Sequence, residues 1–162
     1  MAYKHAGLMT SKTPEWSTPQ DLFDRLNAEF RFTLDPCCTH ENHKCSRYYV
    51  AAENGLAQDW TGERVFMNPP YGRTIAAWMA KAWGTAKAGG LVVCLVPART
   101  DTAWWHDYAM KGEIRFLRGR LRYGGGRGRA PFPSAVVVLT RPPRPRPPAN
   151  RAGGRGFDRR IK

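Results

Sequence analysis

Six consecutive apolar residues, Leu91-Val92-Val93-Cys94-Leu95-Val96, lie between Gly89-Gly90 and Pro97. A strand with one face in water alternates apolar and polar side chains. An unbroken run bounded by glycines and a proline therefore marks a strand covered on both faces. Such strands belong to sheets packed with helices, which commits the chain to an α/β fold. The neighbouring segments agree. Thr74–Lys87 carries Ile75, Trp78, Met79 and Ala82 at helical spacing, and Gly89-Gly90 ends it. Val65–Met67 reads as a second buried strand. Asp101–Met110 reads as a helix capped at Thr100 or Asp101. Upstream, Thr18 suits an N-cap, Pro19 the first helical position, and Asp21 stands three residues after Thr18. Leu22, Phe23 and Leu26 give that helix its apolar face. Phe30–Leu34 reads as a strand ending at Asp35-Pro36, and Tyr48–Ala51 as a short one. Glu113–Leu117 and Ser134–Thr140 are close enough to form an antiparallel hairpin at one end of a mostly parallel sheet. Ligands of such sheets bind at the carboxyl ends of the strands, so Asp35, Asn68 and Pro97 are expected along one crevice.

The chain has 162 residues, enough for one domain with a core, and a net charge of +13. Eight of its 26 Lys/Arg and only one of its 13 Asp/Glu fall after residue 140. We read residues 1–140 as the folded domain and 141–162 as a basic, Pro/Arg/Gly-rich tail expected to be disordered. The charge argues for an anionic partner. No run is long and apolar enough to span a bilayer, and Met1–Thr13 lacks the apolar core of a signal peptide. A cytoplasmic protein is expected, with Cys37, Cys38, Cys45 and Cys94 reduced. Cys37, Cys38, His40, His43 and Cys45 are zinc-type ligands. Adjacent cysteines at such short spacings depart from a paired zinc arrangement, so packing in a loop is the expectation and no metal is expected. Trp104-Trp105-His106 sits on a predicted helix that should bury one tryptophan, with His106 structural.

The Val65–Met67 run stops at Asn68-Pro69-Pro70-Tyr71. This tetrapeptide suits a specific chemical problem. An amine conjugated to a ring is a poor nucleophile because its lone pair is delocalised. Two acceptors, the Asn68 side-chain oxygen and the Pro69 carbonyl, could hold both N–H bonds and localise that lone pair, which is catalysis by positioning and electrostatics. Pro69 and Pro70 lack N–H donors and fix φ, which stiffens the loop. Tyr71 offers a flat face for a base. A plain turn after a buried strand is the competing reading.

Five segments occur in order: Trp16-Ser17-Thr18-Pro19, Leu34-Asp35-Pro36-Cys37, Gly55-Leu56-Ala57-Gln58-Asp59-Trp60, Asn68-Pro69-Pro70-Tyr71-Gly72 and Ala130-Pro131-Phe132-Pro133-Ser134. Together they resemble the small phage and prophage DNA N6-adenine methyltransferases, the phage Dam-type family, over roughly residues 14–140. The resemblance implies an abbreviated, Rossmann-like S-adenosylmethionine-dependent methyltransferase sheet with a terminal antiparallel hairpin. It implies direct methyl transfer from S-adenosylmethionine to the exocyclic amine of an adenine flipped out of double-stranded DNA. Thr18-Pro19 is similar to the element that holds the methionine end of the cofactor. Asp35, Pro36 and Cys37 stand at the first cofactor loop, and Asp59 matches the acidic residue at the cofactor's adenine. Glu53 is a weaker candidate for its ribose. Asn68, Pro69, Pro70 and Tyr71 match the catalytic loop, and Phe132 the aromatic presented to the flipped base. The usual glycine-rich loop is replaced by Cys37-Cys38-Thr39, and little room remains for a helix between residues 37 and 48.

Arg120, Arg122, Arg127 and Arg129 with Tyr123 lie in a glycine-rich loop, where they could clamp phosphates or read bases, with Tyr123 in the stack. Two other readings stay open: a non-catalytic nucleic-acid-binding protein on a decayed methyltransferase fold, and a methyltransferase acting on protein glutamine. Recognition sequence and oligomeric state are not legible.

Overall fold

A computed structural model describes residues 17–125 and 128–141. Along the chain, α1 (Gln20–Phe30) leads to β1 (Leu34–Cys38) and β2 (Arg47–Val50). β3 (Arg64–Met67), α2 (Ile75–Lys87), β4 (Leu91–Pro97), α3 (Ala103–Asp107), β5 (Glu113–Phe116) and β6 (Ser134–Leu139) follow. The strands form one sheet in the order β2-β1-β3-β4-β6-β5. β2, β1, β3 and β4 run parallel, and β6 is antiparallel to both β4 and β5. This is the mixed α/β sheet that the resemblance implies. The expected basic tail from residue 142 onward, and Arg127, lie outside the described residues.

β4 is buried at every position from Val92 to Pro97, as its unbroken apolar run requires. α2 lays Ile75, Trp78, Met79, Ala82 and Ala86 into the core. Each large side chain among them contributes roughly 1.5–3 kcal/mol by leaving water. The hairpin of β5 and β6 is present, but the return strand inserts itself: β6 lies between β4 and β5. Composition explains the placement. Ser134–Leu139 is buried throughout and takes the interior position, whereas Glu113–Phe116, with two charges in four residues, takes the edge.

Three boundaries differ from expectation. Phe30 is not the start of a strand. Leu22, Leu26 and Phe30 share one helical face, so α1 continues to Phe30 and stops where Arg31 turns left-handed (φ 52°) and its N–H bonds back to the Asn27 carbonyl. β1 consequently begins at Leu34, and Asp35 and Pro36 lie inside the strand rather than beyond it. The helix expected over 101–110 is split into α3 and a 3-10 turn at Ala109–Lys111. Both Trp104 and Trp105 are buried, edge to face, where one was expected.

The link from β1 to β2 is the shortest part of the design. Parallel neighbours usually need a dozen or more residues, with a helix, to return to the same end of the sheet. Here residues 39–46 suffice, because side chains replace the helix. Asn42 Oδ1 accepts from the Thr39 N–H (2.7 Å), and the Asp35 carboxylate accepts from the Lys44 N–H (3.0 Å). His43 stacks on Tyr48 with ring centroids 4.0 Å apart, and His40 Nδ1 is 3.0 Å from the Tyr48 hydroxyl. The histidines thus brace the loop. Among the described residues no three His, Cys, Asp or Glu side chains converge as metal ligands. No helix among them is long and apolar enough to cross a membrane.

Candidate functional site

β3 delivers Asn68 to the carboxyl edge of the sheet, one residue beyond Met67. Its carboxamide is held at both ends. Nδ2 donates to Thr18 Oγ1 at 3.0 Å, and Oδ1 accepts from the Tyr71 hydroxyl at 2.8 Å. Thr18 is buried (6% exposed). It does not cap α1, whose N-cap residue is Pro19 and whose first turn receives no side-chain cap bond. The hydroxyl is committed to the Asn68 amide fifty residues away. That bond also brings the start of α1 against the loop after β3.

Tyr71 is buried, with its ring edge-on to Phe132 (5.3 Å) and Tyr123 (6.3 Å). Tyr123 is 3% exposed, so it does not stand with the arginines on the surface as the sequence suggested. Its hydroxyl lies 3.0 Å from that of Tyr71 and 3.0 Å from Ser134 Oγ, inside the protein. Glycines and arginines around it hide the fact that the ring turns inward. Ser134 was missed by the sequence reading. A hydroxyl opening a fully buried strand was the available signal, since a buried hydroxyl must find a partner. Phe132 is half-buried, between these rings and the surface.

Cys37 packs against the Asn68 backbone near the end of β1, so this segment and the Asn68 loop adjoin. Burial, reinforced by Asp35, pushes the Cys37 thiol well above its ordinary range. A raised thiol favours the protonated form, which is the weaker nucleophile. Burial likewise raises Cys45 to about 12. Asp35, 3% exposed, is pushed up to about 6 because burial outweighs the hydrogen bonds from the Lys44 and Cys37 N–H groups. Its carboxylate supports the short crossover rather than opening onto the crevice. The raised value fixes the sign of a pH effect. Below about pH 4 the group is protonated in both folded and unfolded states, and its contribution to stability is complete. That contribution is lost as pH rises through about 6. The loss is on the order of 3 kcal/mol for a carboxyl moved from 3.8 to about 6. Urea unfolding of wild type and Asp35→Asn between pH 4 and 7 checks this: the wild type should lose stability relative to the variant over that window. A constant difference would show that Asp35 is not desolvated.

Two clefts border the start of α1, one of them including Thr18, the hydrogen-bond partner of Asn68. One, of about 480 Å³, lies between Thr18 and Pro19, the crossover residues Asn42 and Lys44, and Arg122. The other, of about 370 Å³, is lined by Arg118, Arg120, Arg122 and Arg129 beside Pro19. Pro19 and Arg122 border both. Arg118 joins the arginines that the sequence singled out. It was missed because it precedes the glycine-rich stretch.

Asp59 is not at this site. Its Oδ1 accepts from the Thr61 N–H and hydroxyl at 2.9 and 2.6 Å, in a turn that borders Gly89 and Gly90. Those residues precede β4, and Arg64 begins β3, so Asp59 lies at the amino ends of the strands, opposite Asn68. Its segment has a packing role instead. Trp60 is buried, stacks on Trp78 and donates from Nε1 to the Gly55 carbonyl at 3.0 Å. Glu53 is the acidic side chain at the carboxyl end of β2, where its carboxylate accepts from the Val50 N–H at 2.8 Å.

With this geometry in view, the comparisons with known proteins are specific. Over 65 residues the chain is 42% identical to the Escherichia coli (strain K12) protein named "Putative methyltransferase YfdM", covering 35% of this chain and 70% of that protein. The family model described as DNA N-6-adenine-methyltransferase (Dam) matches residues 6–144. That match takes in every helix and strand of the fold as well as the Asn68 loop, and the chain belongs to the DNA N-6-adenine-methyltransferase (Dam) family.

Proposed function

We propose that this methyltransferase transfers a methyl group from S-adenosylmethionine directly to N6 of an adenine flipped out of double-stranded DNA. The observation that carries the reading is the Asn68 carboxamide, held by Thr18 and Tyr71 at the carboxyl edge of β3. Asn68 Oδ1 is a carbonyl oxygen, which can accept more than one hydrogen bond, and the Pro69 carbonyl follows it in the chain. Together they accept the two N–H bonds of the amine and direct its lone pair, so the amine need not be deprotonated first. Pro70 keeps the loop stiff; the buried Tyr71 holds Asn68 instead of offering a flat face to the base, and the half-buried Phe132 in front of it is the apolar wall. Extruding the base costs a few kcal/mol of stacking and pairing, which contacts to the DNA backbone offset.

The residues present suit the cofactor. A cleft of about 480 Å³ falls in the range of small-molecule sites. Lys44 and Arg122 border it and would face a carboxylate, with Thr18 and Pro19 at the same end. Asp35, Pro36 and Cys37 are in β1, behind the crossover that lines the cleft, with Asp35 holding the Lys44 N–H, and Glu53 is the candidate for ribose hydroxyls in place of Asp59. S-adenosylmethionine, when bound, supplies a methyl group already activated on a sulfonium. The protein then has only to orient the amine and exclude water.

Arg120, Arg122 and Arg129, with Arg118, form the DNA contact. Each arginine that neutralises one phosphate should contribute about 0.9 to the slope of log affinity against log salt. Alanine at any one of the three should lower the slope by about that amount and weaken all sequences alike. An unchanged slope in the triple variant would place the DNA elsewhere. A DNA substrate implies action in the cytoplasm.

The test is incubation with methyl-labelled S-adenosylmethionine and unmethylated genomic DNA, followed by digestion to nucleosides. Label in N6-methyladenine is the expected result. Label in protein alone would redirect the reading to a glutamine substrate. One observation favours a second reading: a crossover of eight residues without the glycine-rich loop. A non-catalytic DNA-binding protein would bind duplex in calorimetry and show no heat with the cofactor.

A further inference from the structure

We propose that Phe116, at the end of β5, is a platform on which an unstacked DNA base lies, extending the arginine surface to the edge of the sheet. Among the described residues, Met110 and Phe116 are the large apolar side chains that stand exposed, at 55% and 69%. An exposed aromatic on an edge strand invites association, so what it meets matters. One face of this ring is already held. Phe116 stacks on Trp105, with ring centroids 6.5 Å apart and planes 25° apart. Trp105 is itself buried in the core. A ring backed on one side and so exposed overall bares its other face. It is a flat surface fixed in advance, which loses little freedom when something stacks on it. Its neighbour Arg115 points to the opposite side of the sheet, over the Phe30 ring at 5.3 Å and against both Glu29 carboxylate oxygens.

The strand register puts this platform on the same edge as Asn68. Met67 pairs with Cys94, Cys94 with Val137, and Val137 with Ile114. Asn68 is therefore level with Arg115, and Phe116 stands one residue nearer the carboxyl edge, three strands away. At about 4.8 Å per strand the separation is roughly 14 Å. A major groove is about 12 Å wide, so one duplex can reach both. The Leu117 N–H donates to the Ser134 carbonyl at 3.2 Å, which keeps the chain on the sheet for one more residue. Arg118 follows, and lines the arginine cleft with Arg120, Arg122 and Arg129. Arg115 is paired with Glu29 and Glu113, and Arg47 with Glu63, but no acidic side chain pairs with any of these four among the described residues. The bare ring thus adjoins positive charge that the protein does not satisfy internally. A second copy of a chain with net charge +13 would bring the same arginines together and be repelled. A polyanion with flat apolar faces satisfies both halves of the surface, and DNA with a base out of its stack is one.

The inference rests on the reading of DNA as the substrate, and the experiment separates the two. The probes are an end-labelled oligonucleotide of mixed sequence, as a single strand and as its duplex, titrated with full-length protein at several salt concentrations. The single strand offers base faces without the cost of opening a duplex. Phe116→Ala should fold, since the ring is mostly in solvent, and should bind the single strand about tenfold more weakly, the scale of one base stacked on an aromatic. Its salt slope should equal that of the wild type, because no phosphate contact is lost. Arg118→Ala should instead lower the slope by about 0.7. Phe116→Trp should bind at least as tightly as the wild type, and Phe116→Leu no better than Phe116→Ala. Binding by Phe116→Ala within twofold of wild type would overturn the proposal, as would a leucine variant as tight as wild type. So would sedimentation showing a wild-type dimer that Phe116→Ala dissociates, which would give the edge to a second copy. A wild type that methylates DNA while Phe116→Ala binds unchanged leaves the DNA reading in place without this platform. A wild type that neither binds nor methylates DNA removes both.

Discussion

Asn68→Ala should fold, bind S-adenosylmethionine with near wild-type affinity and transfer methyl groups to DNA at least about 10²-fold more slowly, the usual loss when one preorganised hydrogen-bonding group is removed from a polar transition state. Asn68 is only half-buried, and its side chain contributes no apolar surface to the core. Its loss leaves the Thr18 and Tyr71 hydroxyls short of one partner each, which costs about 1–3 kcal/mol apiece where they are buried. A domain of this size survives that. The reaction does not, because the Pro69 carbonyl alone cannot hold both N–H bonds of the amine. Asn68→Asp separates the two effects. A carboxylate still offers an acceptor to the amine, and Thr18 can reverse its hydroxyl to donate. We expect the order Asn, Asp, Ala, with aspartate closer to the wild type. Single-turnover rates beside urea midpoints decide it. An alanine variant within threefold of wild type would remove Asn68 from the chemistry.

The largest effect on stability is expected at Gly55. A Cβ at this residue would stand 2.0 Å from the Pro36 carbonyl oxygen, 3.1 Å from its carbon and 3.2 Å from the Trp78 side chain. The first two atoms are backbone of β1 rather than the end of a flexible side chain, so they cannot swing aside. Gly55→Ala should lower stability by at least about 3 kcal/mol, the upper end of the range for overpacking. It should also weaken cofactor binding, because the turn at Gly55–Ala57 is forced away from the carboxyl end of β1. Gly84→Ala provides the contrast. That glycine is exposed in α2 and nothing lies within 4 Å of its Cβ position, so alanine should stabilise by roughly 0.5–1 kcal/mol. Equal midpoints for the two variants would mean that the turn does not rest on β1.

Local sequence carried the elements well and their long-range partners poorly, for a physical reason. The run Leu91–Val96 and the face Ile75, Trp78, Met79, Ala82 state their own burial, because periodicity and composition are local. Thr18 before a proline looks like a helix cap until its partner, fifty residues on, is known. Tyr123 among arginines and glycines looks like a surface ring, and only the arrival of β6 with Ser134 shows that it points inward. Asp59 was assigned by likeness of motif, and the path of the chain puts it at the wrong end of the strands. The same motif contains Gly55 and Trp60, whose packing under β1 and α2 explains those two residues without any ligand. The adjoining of Cys37 and Asn68 was legible only as an expectation from strand ends. It holds for Asn68 and shifts Asp35 one step into the strand, because α1 uses Phe30.

The position of β6 also has a consequence for the order in which the protein can come into being. β5 pairs with no described strand except β6, and β4 has a free edge until β6 covers it. A chain interrupted anywhere before Ser134 therefore loses two strands rather than one, and leaves its most apolar strand open along one side. Ser134 opens that strand, and its hydroxyl lies 3.0 Å from that of Tyr123, which in turn lies 3.0 Å from that of Tyr71. A nascent protein therefore cannot complete the buried side of the Asn68 loop before it has closed its sheet.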